Sequence, residues 1–197
     1  MPKRIAPQQC CGVIIDVQGF FLSLVDKRLQ SRLTTNLRNF VRLVDYFQIP
    51  IIVTLERPVQ HKGSLPPGIR RHLGNRTQTF EKSYWDLSKE KKIVSHLARL
   101  KKKQILVAGC ETDVCVLQSC LGLLELGYEV FVVEELIFSS SHNVEAATTR
   151  MRAEGVVFVS YKTLYYELVE AVEDDRRPIK NQEKLGPFPD DLPDMAV

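Results

Sequence analysis

QILVAGCETDVCVLQSCLGLLELGYEVFVV, residues 104–133, carries the shape of the fold. Gln104 to Ala108 is an apolar run without polar alternation, which marks a strand buried on both faces. A polar turn, Glu111-Thr112-Asp113, precedes a helical segment from Asp113 to Leu126, and Gly127 supplies its stop. Glu129 to Val133 is then a second apolar strand. Continuous apolar strands alternating with helices imply a parallel sheet covered on both faces.

Outward from this unit the alternation repeats. Gly12 to Val17 reads as a buried strand ending at an acid, Asp16. Leu29 to Phe47 has helical periodicity, with Leu33, Leu37, Phe40, Val41 and Val44 on one face, and Pro50 follows its end. Ile51 to Leu55 is a strand, and residues 57–79 form a polar, Pro/Gly-rich segment of the length that functional loops show. A short strand is expected at Thr79 to Glu81, a helix at Leu87 to Leu100 with Ser88 as its N-cap, a helix at Asn143 to Ala153 ending at Gly155, a strand at Val156 to Ser160, and a last helix from about Thr163 to Val172. The expectation is one α/β domain over residues 1–173, with 174–197 a polar, proline-containing tail.

Composition narrows the function. The 197 residues are 44% apolar and 26% charged, ordinary for a globular protein, and the net charge of +3 is too small to imply a nucleic-acid partner. No segment is apolar and long enough to span a membrane or act as a secretory leader, so a cytoplasmic location is expected, where thiols stay reduced. The odd count of 5 cysteines fits poorly with a disulfide framework. Cys110, Cys115 and Cys120 are spaced by five, unlike zinc knuckles, and the 4 histidines form no metal-binding pair, so neither metal nor cofactor is expected. A five-residue helical step rotates about 140°, which would set Cys115 and Cys120 on different faces.

In open α/β sheets, sites form beyond the carboxyl ends of the strands. Just after the strands stand Asp16 and Gln18, Glu56 and Arg57, Lys82, Glu111 to Cys115, and Glu134 with Glu135. Asp16, Lys82 and Cys115 make a coherent set. A thiol needs a base for its proton and a cation beside its anion, and a helix N-terminus also favours the thiolate. Taken singly, Asp16 can cap the next segment, Lys82 can be a solvated lysine, and Cys115 can be a small buried hydrophobe.

In order, GVIIDVQ (12–18), FEKSYWD (80–86) and GCETDVCVLQSC (109–120) resemble the signatures of the isochorismatase-like cysteine hydrolases, a superfamily that includes nicotinamidases and N-carbamoylsarcosine amidases. The resemblance runs from about residue 8 to 172. It implies a three-layer α/β/α sandwich around a six-stranded, mainly parallel sheet. It also implies Asp16 as base, Lys82 as cationic stabiliser and Cys115 as nucleophile, with a cis peptide at Cys110–Glu111 that turns the Glu111 N–H, beside that of Cys115, into an oxyanion hole. Gln18 matches a position next to the catalytic acid. Where nicotinamidases carry an Asp-x-His metal motif, this chain has Glu56-Arg57-Pro58, which points to the metal-free branch.

Arg57, Tyr84 and Trp85, with Arg70 and Arg71, are candidates to line the pocket. Segment 57–79 is the candidate for substrate selection. The expected activity is hydrolysis of a small amide or ureido C–N bond, through an acyl-enzyme, by a homo-oligomer with no nucleic-acid or membrane partner. The alternative is a non-catalytic or redox-sensing protein on the same fold, acting through protein contacts.

Overall fold

A computed structural model describes residues 3–170; the expected tail at 174–197 lies outside the described residues. In chain order the elements are β1 Cys10–Ile15, α1 Gly19–Ser23, α2 Lys27–Tyr46, β2 Ile51–Glu56, α3 Val59–Lys62, α4 Pro67–Arg70, β3 Thr77–Lys82, α5 Lys91–Leu100, β4 Gln104–Cys110, α6 Leu117–Glu125, β5 Glu129–Phe138, α7 Glu145–Ala153, β6 Val157–Val159 and α8 Tyr161–Val169. The strands form a six-stranded sheet ordered β3-β2-β1-β4-β5-β6. All five pairings are parallel. Winding runs from β1 toward β3 on one side and from β4 toward β6 on the other, so the switch point lies between β1 and β4, where such sheets open a crevice.

Period-2 alternation splits the core into two layers. Cys10 and Ile14 join Leu106, Ala108 and the apolar stripe of α2 (Leu33, Leu37, Phe40, Val44) with Leu164 and Leu168 of α8. Cys11, Val13 and Ile15 join Ile105, Val107 and the faces of α5 and α6 (Ile93, Leu97, Cys120, Leu123). The central strands are therefore apolar on both sides, as their unbroken runs require.

Between β1 and β4 the backbones close to a distance only glycine tolerates. Gly109 has φ +124, and a Cβ there would lie 2.0 Å from the Ile15 carbonyl oxygen. The residue that turns the chain into the 110–116 segment thus packs directly on the strand that delivers Asp16.

Several boundaries differ from the sequence expectation. Segment 57–79 is not a plain loop: it holds α3, α4 and the start of β3. Residues 87–100 divide into a 3-10 turn, Leu87–Lys89, and α5; the cap is Asp86, whose carboxylate accepts from the Ser88 N–H, not Ser88 itself. The chain after β4 enters α6 through a wide π turn, Thr112–Val116, with Glu111 at the cap position and no side-chain cap. Asp113 of this turn accepts from the hydroxyls of Ser139 and Ser141. The last helix begins at Tyr161, capped by Ser160. Finally, β5 runs to Phe138 through a register shift opposite Val107 and Gly109, so Glu134 and Glu135 lie inside the strand rather than beyond it.

Candidate active site

Of three neighbouring strands, β2 and β3 end in charged residues and β1 is followed by one, and parallel pairing brings these together. Glu56 and Lys82 are register partners at the ends of β2 and β3. Asp16 follows β1 with φ 50, a left-handed conformation that few non-glycine residues adopt. Its N–H donates to the Thr54 carbonyl at 3.1 Å. The Thr54 hydroxyl donates to Asp16 Oδ1 at 2.8 Å, fixing the carboxylate. Cys115 arrives from the turn after β4, almost fully buried.

Lys82 is the hub. Its Nζ lies 2.7 Å from Asp16 Oδ2 and 3.7 Å from Glu56 Oε2. It donates to the carbonyls of Tyr84 (3.1 Å) and Trp85 (3.4 Å) and toward Cys115 Sγ at 3.5 Å. The Cys115 thiol donates to Glu56 Oε2 at 3.1 Å. The other Glu56 oxygen is ion-paired with Lys62 of α3.

These contacts fix the direction in which each group titrates. Burial pushes the Cys115 thiol up; Lys82 pulls it back, while Asp16 and Glu56 add to the rise. Burial works to depress Lys82, but Asp16, Cys115 and Glu56 outweigh it and hold the ammonium charged above the usual lysine range. Asp16 is raised, chiefly by burial, against the pull of Lys82 and Thr54. Glu56 is lowered: burial opposes this, but Lys62, the thiol and Lys82 win. The resting sulfur is therefore a thiol hydrogen-bonded to Glu56, which differs from the expected thiolate. A helix end and a lysine favour the thiolate, but the negative charge of Asp16 and Glu56 beside the buried sulfur opposes them.

Among the described residues, donor atoms of Asp16, Glu56 and Cys115 lie within 4.8 Å of one another, a spacing a metal ion could use. The Lys82 ammonium already contacts all three, so a metal ion there would meet its positive charge. That arrangement favours a purely organic site.

The remaining predicted residues separate clearly. Gln18 is buried, and its amide bonds both backbone groups of Glu56 (2.7 and 3.2 Å) and the Gly63 carbonyl (2.8 Å). Arg57 is exposed and paired with Glu81 at 3.0 Å. Tyr84 and Trp85 are 55% and 59% exposed, and the part of each that meets the cluster is its carbonyl. The Cys110–Glu111 peptide is cis, as the resemblance implies. The Glu111 carboxylate accepts from the Ser140 N–H at 3.0 Å, which ties the turn to the segment after β5. Glu56 is the contact the sequence reading passed over, although it stood among the strand-end residues. All five cysteines are free. Cys115 and Cys120 both belong to the buried apolar cluster on this side of the sheet.

The isochorismatase domain family matches residues 10–163. This chain belongs to that family. Isochorismatase family protein 1B of Dictyostelium discoideum is 28% identical over 169 residues, 84% of this chain and 81% of the relative. The MAR1 ribonuclease of Caenorhabditis elegans superposes with a TM-score of 0.82 at 27% identity, covering 93% of this chain and 92% of the other. YcaC from Pseudomonas aeruginosa, solved with hexane-2,5-diol and covalent acrylamide, gives 0.81 at 26% identity over 87% and 85%. The isochorismatase-like α/β sandwich expected from the sequence is therefore the fold of this protein. Among the described residues, no helix is long and apolar enough to cross a membrane.

Proposed function

We propose that this family member is a cysteine hydrolase of a small amide or ureido compound. Cys115 attacks the carbonyl carbon, Asp16 takes the thiol proton and gives it to the departing amine, and Lys82 holds the negative charge that builds between them. The cis-linked Glu111 and the Cys115 N–H are assigned to the developing oxyanion. A water molecule then releases the acyl group from sulfur. Gln18 serves by fixing Glu56 and the base of segment 57–62. Arg57, Tyr84 and Trp85 remain assigned to the pocket mouth, where exposed side chains can meet a ligand.

The observation that carries this reading is the Lys82 ammonium, buried and in contact with both the Asp16 carboxylate and the Cys115 sulfur. Burying such a group is costly unless it is paired, and sites that perturb three titrating groups at once are commonly catalytic. The neighbour holding covalent acrylamide supports the idea that a small amide-bearing electrophile enters this fold. The ribonuclease activity in the name of another neighbour is not carried over, since a net charge of +3 supplies little electrostatic attraction for a polyanion. The protein is taken to work in the cytoplasm, as a homo-oligomer, on a small molecule. Turnover of a panel of small primary amides and ureides, read as ammonia or amine release, tests the reading. Release that disappears in C115A confirms it; release that survives C115A places the chemistry elsewhere.

A further inference from the structure

The hydrogen bond of the Cys115 thiol runs to the second carboxylate of the cluster. Glu56 Oε2 accepts it at 3.1 Å. Asp16 Oδ2 touches Lys82 but accepts no hydrogen bond of good geometry, although it is fully buried. Asp16 thus has a vacant lone pair, and its carboxylate lies within 4.8 Å of the same sulfur. Glu56 is meanwhile kept ionised by Lys62 on its other oxygen. A thiolate formed in this arrangement would sit against a charged carboxylate, and in a buried site that repulsion is large. The charged and titrating groups facing the sulfur are Lys82 from β3, Glu56 from β2, Asp16 after β1 and Cys110 from β4. Of these, Glu56 is the one whose carboxylate is partly open to solvent, so it is the one an incoming ligand can engage.

We propose that Glu56 holds the Cys115 proton in the free protein and releases it when an N–H group of the substrate takes over its acceptor oxygen, so that the nucleophile is freed only by nitrogen-bearing acyl compounds. This rests on the cysteine-hydrolase reading and adds a specificity-determining residue to it. An amide or ureide N–H replaces the S–H as donor to Glu56 Oε2. The S–H bond then breaks with its proton passing to Asp16, and its electron pair forms the bond from sulfur to the carbonyl carbon. The C=O π pair moves to oxygen. As the tetrahedral adduct collapses, the C–N bond breaks and the nitrogen leaves with the proton from Asp16. An ester of the same shape offers no N–H, so Glu56 stays on the thiol.

Two alkylating probes separate these elements without requiring turnover. Iodoacetamide carries an N–H; methyl iodoacetate is similar in size, neutral, and has none. Labelling of Cys115 in the full chain is followed by peptide mass mapping from pH 6 to 10, with C115A to assign the signal. In the native protein the amide-to-ester rate ratio, normalised to free cysteine, should exceed about ten. In E56Q it should fall close to one, and the labelling midpoint should drop by a pH unit or more, about tenfold in rate at pH 7.5. K62M removes the cation that balances Glu56 and should move the midpoint the other way, which general loosening of the fold would not do. An unchanged midpoint or an unchanged ratio in E56Q overturns the proposal, as does movement of both variants in the same direction. If these shifts appear while no amide is turned over, the hydrolase reading fails and the role of Glu56 stands.

Discussion

Two acidic pairs of this protein look alike in the sequence and behave oppositely in the fold. Asp16 and Glu56 end up around a buried ammonium and a sulfur. Glu134 and Glu135 were also placed beyond a strand, yet they lie within β5: Glu134 is exposed and paired with Arg152, and Glu135 accepts the Tyr161 N–H at 2.8 Å. Both pairs are acidic and both follow apolar runs. What separates them is the switch point. At the β1 side of it, β2 and β3 stop together at Glu56 and Lys82, and β1 stops opposite Thr54, so that Asp16 follows beside them. At β5 the strand bulges and continues, so its carboxylates serve a neighbouring helix and the solvent. An acid near a strand end joins the buried cluster only where adjacent strands end beside it.

This contrast predicts unequal costs. The largest effect should come from K82M, which leaves Asp16 buried without its cation; stability should fall by about 3–5 kcal/mol in urea unfolding, and selective Cys115 labelling should vanish. A variant that labels normally and unfolds like the native protein would erase the distinction between the two pairs. Next comes G109A, whose methyl would collide with the Ile15 backbone at a positive φ; a loss well above about 1 kcal/mol is expected, together with loss of labelling selectivity, since this glycine aims the turn.

A smaller effect belongs to Asp113. Burial would raise its carboxyl, but the Ser139 and Ser141 hydroxyls outweigh that and lower it. A group lowered on folding contributes stability above its unfolded value, and that contribution is lost as pH falls through the folded one. The stability difference between the native protein and D113N should therefore be present at pH 6 and shrink below about pH 4. E134Q should be the mildest, changing stability by less than about 1 kcal/mol and leaving labelling untouched, because exposed ion pairs contribute little. A cost comparable to that of K82M would show that the rim at β5 matters as much as the switch point.

Much of this was legible in the residues. Unbroken apolar runs marked all the central strands, and the α2 stripe was read correctly because Leu33, Leu37, Phe40, Val41 and Val44 recur at helical spacing and are all buried. The strand-end positions include Asp16, Lys82 and Cys115, which the fold brings into contact. Glu56 was harder, since nothing local distinguishes it from Glu134; its importance comes from lying beside Lys82 in the sheet, and register between strands separated by a long crossover is not written in either segment. The bulge in β5 escaped for a related reason, as two consecutive glutamates imitate a strand end. The choice of Asp86 over Ser88 as cap depended on a two-residue shift that side-chain preference alone does not resolve, both types being good caps.

Gln18 clamps the two stems of segment 57–62 at their roots, bonding Glu56 at one end and Gly63 at the other. Its single amide ties both ends of the stretch to β2, while Arg57 and Lys62 within it reach Glu81 and Glu56. The residues between Arg57 and Lys62 are consequently a natural cassette: they can drift, or be exchanged by an engineer, while the stems and the sulfur beneath them keep their positions.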